Sequence, residues 1–106
     1  MQEKLLTKVV LKRNGRVVDW DSFRIQTAIF RAAIFGKYAD QPLRANMLAN
    51  NVTKIVESYV ANLSFDKIEI DVIQNAVVKE IHDFDADVAR DFLAYKTERE
   101  IERVKK

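Results

Sequence analysis

The chain has 106 residues, 48% of them hydrophobic and 32% charged, an ordinary balance for one domain with a single apolar core. With no cysteine and one histidine, it excludes disulfides, thiolate metal sites and cysteine nucleophiles, and a zinc site would have to rest mostly on carboxylates. A net charge of +2 is too small to argue for nucleic acid, and the absence of a long apolar run or a signal-peptide core predicts a cytoplasmic protein without a membrane span.

The first element is a hairpin. Val9 to Ile25 reads VVLKRNGRVVDWDSFRI, two β-prone runs around Asn14-Gly15, which predicts a two-residue turn. Lys12, Arg13 and Arg16 crowd that turn, and a helix start at Asp21-Ser22 follows closely. A turn presenting cations beside a helix N-terminus is one way to hold a phosphate chain.

Four helices follow. Ser22 to Phe35 carries apolar residues at helical spacing, with Asp21 or Ser22 as cap and Gly36 as stop. Phe30, Ile34 and Phe35 widen its apolar face, which predicts a central position. A second helix begins near Pro42, with Leu48, Val52, Ile55, Val56, Tyr59 and Val60 as its face. After a loop over Asn62 to Asp66, Lys67 to Ile70 alternates polar and apolar, enough for one short strand. Asp71 is the expected cap of a third helix, and His82 to Asp85 separates it from a fourth, capped by Asp85 and running over about 86–104. The expected architecture is α+β: one domain over residues 1–106, a small β-hairpin plus a third short strand packed on a four-helix bundle.

Charge is unevenly spread. Residues 1–20 hold five bases against two acids, residues 64–93 eight acids against three bases, and the last thirteen residues five bases against three acids. If the two basic ends meet in the fold, they form one cationic patch. The midchain acids suit helix caps and solvated faces better than a general acid/base pair. His82, where the third helix ends, suits terminal carbonyls. No glycine-rich phosphate loop and no hydrolase or zinc-protease motif is present. The basic ribbon could in principle enter a DNA groove, but it lacks a stacking surface and the acidic midsection repels a duplex. Nucleic acid is therefore not an expected partner, and an independent enzyme is not expected.

Three segments in order resemble one family. Val10-Leu11-Lys12-Arg13-Asn14-Gly15-Arg16, with Val18 to Asp21 and Arg24-Ile25, looks like the opening of an ATP-cone domain. Ile68 to Val77, IEIDVIQNAV, resembles that family's third strand and following helix, with Ile73 and Gln74 in register. Val88 to Arg99, VARDFLAYKTER, resembles its closing pattern, so the likeness covers about residues 7–103.

The resemblance implies a regulatory module, not a catalyst: the N-terminal allosteric domain of ribonucleotide reductases, binding ATP or dATP, with Mg2+ arriving on the nucleotide. It implies a reductase catalytic or radical subunit as partner, and control of overall activity through oligomeric state, with homo-oligomers among the outcomes. A zinc-ribbon repressor that carries the same module needs cysteines, which this chain lacks, so an excised regulatory domain or a free-standing cone is expected. Carried over by position, Lys12, Arg13, Lys96 and Arg99 would bind phosphates. Val10, Ile25 and Ile73 would line the base pocket, and Asp21 and Arg24 would face ribose or phosphates. Asn14 would shape the turn and offer its N–H. Ile70, another expected contact, stands where some members carry a hydroxyl residue, and Trp20 replaces a smaller apolar residue, either packing on the base or filling the core. The alternative reading is a ligand-free interaction or dimerisation module of the same fold.

Overall fold

Val9–Leu11 (β1) is the middle strand of a three-stranded sheet, flanked by Val17–Asp19 (β2, antiparallel) and Lys67–Glu69 (β3, parallel). The structure is a computed structural model that describes residues 8–105, with side chains through residue 98. Val10 lies opposite Val18 on one side and Ile68 on the other. Strand periodicity therefore gives the sheet one apolar face, and Val10 and Ile68 are buried there.

The hairpin closes differently from the two-residue expectation. Lys12 N–H donates to the Arg16 carbonyl at 2.8 Å and Gly15 N–H to the Lys12 carbonyl at 3.0 Å, leaving Arg13, Asn14 and Gly15 in the loop. Gly15 is the positive-φ residue, at +85°, and no non-glycine residue adopts positive φ among the described residues. A β-turn followed by a left-handed glycine needs one such residue, whereas the two-residue turn would force Asn14 there as well.

Against the sheet lie Ser22–Phe35 (α1), Pro42–Ala61 (α2), Ile70–Phe84 (α3) and Ala86–Lys105 (α4). Each helix packs on two others, in the cycle α1–α2–α3–α4–α1. The core is aliphatic: Ile29, Val52, Val56, Val60, Ile68, Ile81 and Val88 are all but fully buried. Asp21 caps α1 by accepting from the Phe23 and Arg24 N–H groups, and Pro42 occupies the first turn of α2.

Three boundaries and faces depart from the sequence reading. α3 starts at Ile70, so Ile70 ends no strand and Asp71 lies inside the first turn, not at the cap. Strand pairing stops at Glu69, opposite the last residue of β1, and the chain turns helical at once. α3 also continues through His82 to Phe84, leaving Asp85 alone between the last two helices. On α2, Leu48, Val52, Val56 and Val60 are buried as expected but Ile55 and Tyr59 are exposed, because Ala45, Ala49 and Thr53 shift the buried face toward the other edge of the stripe.

Several charged residues fasten elements together. Lys8 is buried, donating to the carbonyls of Leu63 and Phe65 at 2.8 and 2.7 Å with Asp66 at 3.5 Å, so it belongs to no surface patch. Lys37 bridges Asp85 at 2.7 Å and Asp87 at 3.4 Å, and Tyr38 Oη donates to Asp85. The hydrogen bond from Lys37 holds the Asp85 carboxyl below its usual range, and the same bond raises Lys37. Asp91 of α4 accepts from the Lys37 backbone N–H at 2.8 Å, and a Cβ at Gly36 would run into that carboxylate. Asp66, Asp85, Asp87 and Asp91 are therefore joints between elements.

Candidate functional site

The apolar face of the hairpin does not close completely on the helices. Between the hairpin, α1, the start of α3 and the outer half of α4 lies an open cleft of about 730 Å³, within the roughly 300–1,000 Å³ typical of ligand sites. Val10 of β1, Ile25 of α1 and Ile73 of α3 line it with hydrocarbon, and Val18 and Trp20 add to the wall. Lys12, Arg13, Arg24, Arg31 and Lys96 bring positive charge to the same cleft, against Asp19 and Asp21.

Each cation arrives by a different local route. Lys12 follows β1 directly, half-buried, and its ammonium has no hydrogen bond or ion pair among the described residues. Arg13 is the first loop residue and reaches α3, where it binds Asp71 and Gln74. Arg24 stays near the cap, with Nε 3.8 Å from Asp21 Oδ2. Lys96 comes from α4, more than eighty residues along the chain from Lys12. The basic segments near the two chain ends thus contribute to one cleft.

Nine expected site residues line this cleft: Val10, Lys12, Arg13, Asp21, Arg24, Ile25, Ile70, Ile73 and Lys96. Asn14 does not line it. Its side chain accepts from the Arg16 N–H at 3.0 Å and shapes the turn. The Arg99 side chain lies outside the described residues.

Sequence reading missed several contributors. Arg31 lies two helical turns beyond Arg24, and that i, i+7 spacing was its available signal. Gln74 enters as the partner of Arg13. Glu57 of α2 had no local signal: its Oε2 accepts from Trp20 Nε1 at 2.8 Å and from Ser22 Oγ. That carboxylate fixes the corner between β2 and α1, which carries Asp19, Asp21 and Arg24 into the cleft. Trp20, half-buried with its one polar atom satisfied, offers the cleft carbon surface and also packs on the core.

A pocket with an apolar wall and fixed cations suits a ligand with a flat apolar body and an anionic tail. His82 is exposed at the far end of α3 and does not line the cleft. Among the described residues, no group of three or more histidine, cysteine or acidic side chains could hold a metal ion, and no helix is long and apolar enough to cross a membrane. A family model described as the ATP cone domain matches residues 8–101, nearly the whole chain. No curated protein matches the chain significantly.

Proposed function

The chain belongs to the ATP cone domain family, and on that premise we propose that the cleft seats ATP or dATP and that its occupancy regulates a ribonucleotide reductase. Family membership conveys nucleotide-binding allosteric regulation, with no catalysis by this domain. The observation that carries the finer reading is the meeting of Lys12 and Arg13 with Lys96 around an apolar wall of Val10, Ile25 and Ile73. In this reading the base lies on the apolar wall and the triphosphate on the cations. Arg99 is assigned to the phosphates by its position in the family pattern alone. Mg2+ comes with the nucleotide, held by phosphate oxygens.

Charge-assisted contacts contribute a net of roughly 1.5–3 kcal/mol each. Three or four of them, with the base buried, suffice for micromolar affinity, about −8 kcal/mol. Titration calorimetry with ATP and with dATP should give micromolar or tighter binding, and silence with both would sink the proposal. Regulation requires two assembly states whose balance the ligand shifts, typically by about 1–3 kcal/mol of coupling. Light scattering of this domain joined to its reductase subunit, with and without nucleotide, should show a change of mass.

A second reading is an interaction or dimerisation module without a ligand. Leu43 and Met47 favour it, 81% and 64% exposed on one side of α2. It predicts a concentration-dependent mass that nucleotide leaves unchanged.

A further inference from the structure

Arg13 reaches the cleft already engaged. Its Nε and Nη2 both donate to Asp71 Oδ1, at 3.1 and 2.9 Å, and Nη2 also donates to Gln74 Oε1 at 3.1 Å. Gln74 lines the cleft, as do Ile70 and Ile73 on either side of Asp71. Asp71 lies in the first turn of α3, where the exposed backbone N–H groups favour a carboxylate whether or not Arg13 is present. A fixed negative charge therefore stands within hydrogen-bond distance of a guanidinium that the anionic end of a ligand needs. The other cleft cation on the hairpin differs: the Lys12 ammonium has no such partner among the described residues.

We propose that Asp71 is an affinity-determining residue, a resident competitor that holds Arg13 against α3 until a phosphate chain takes or shares that guanidinium. The proposal rests on the nucleotide reading of the cleft. Both members of the pair are more than half exposed, Arg13 at 53% and Asp71 at 63%, so the contact is weak enough for a multivalent anion to exchange. The exchange has two costs for the ligand: loss of the internal ion pair, and repulsion between Asp71 and the arriving phosphates. It also has a structural consequence. Arg13 ties the hairpin loop to α3, so a phosphate that takes its guanidinium releases that tie, while β1–β3 pairing keeps the hairpin beside the start of α3.

Neutralising the carboxylate while keeping its shape isolates the effect. Asp71→Asn should bind ATP about threefold to tenfold more tightly than the unmodified chain, with a smaller gain for AMP, because repulsion grows with phosphate charge. Asp71→Ser, which removes the acceptor geometry as well, should shift affinity in the same direction. Thermal unfolding of both variants, run alongside, fixes a temperature at which each is folded. ATP affinity unchanged or weakened in both variants would overturn the proposal and assign Asp71 the opposite role, that of orienting Arg13 toward phosphate. An equal gain for AMP and ATP would also overturn it, since a general change of pocket shape would then be the cause. Failure of the unmodified chain to bind ATP at all is a separate result, which defeats the nucleotide reading itself.

Discussion

Lys12 is the cleanest probe of the cleft, because its ammonium makes no hydrogen bond or ion pair among the described residues while its stem is half-buried at the cleft's edge. Removing the charge breaks no internal pair, so the loss should fall on ligand binding and not on folding. A charged contact to phosphate contributes roughly 1.5–3 kcal/mol, and about 1.4 kcal/mol is a factor of ten. Lys12→Ala should therefore weaken ATP binding by at least about tenfold. Lys12→Met retains most of the apolar stem, and it should show the same loss if the charge is what matters. Unfolding free energy should change by less than about 0.5 kcal/mol, as for surface substitutions away from special features. Calorimetric titration and urea denaturation of the same preparations measure both quantities. ATP affinity within threefold of the unmodified chain in both variants would refute the placement of phosphate beside Lys12. Weakened binding in Lys12→Ala alone would assign the effect to the stem.

Gly36→Ala should destabilise the fold by about 1–3 kcal/mol in urea denaturation, because the new Cβ must displace the Asp91 carboxylate from the Lys37 N–H. Glu57→Ala should shift the emission of Trp20, the chain's single tryptophan, as its Nε1 loses its acceptor, whereas Glu57→Gln retains an acceptor oxygen and should restore it. The Asp85 carboxyl is held below its ordinary value of 3.8, so its stabilising effect is present above that value and is lost as pH falls through the lower folded value. Acid titration of stability should accordingly show Asp85→Asn less stable than the unmodified chain near neutrality. The gap should close below about pH 3.8, whereas a gap constant with pH would show that the ionised carboxylate is not responsible.

Local chemistry was readable wherever one residue and its near neighbours decide the outcome. Asp21 caps α1 and Pro42 opens α2 because each meets a requirement of a helix's first turn. Asp85 does the same for α4, accepting from the Asp87 N–H at 3.0 Å. The same local logic failed at Asp71. An acid before an apolar run reads as a cap, yet the end of strand pairing at Glu69 put the helix start earlier. It also failed for Ile55 and Tyr59, since helical period defines a stripe but not which edge of it meets a neighbour.

The sequence by itself determined the α+β class, the order of the elements and the cations of the hairpin turn, since caps, turns and periodicity act over a few residues, whereas the apolar wall and Lys96 followed only from the family resemblance. Tertiary structure alone decided which side chains meet. Arg13 finds Asp71 58 positions away, Trp20 finds Glu57 37 away, and Lys37 finds Asp91 54 away. Such pairs leave no local trace, because each partner satisfies its own helix or turn equally well without the other. Only the cyclic packing of four helices under a small sheet brings Lys12 and Lys96 to one cleft, and only there does the charge of Asp71 act on what that cleft can hold.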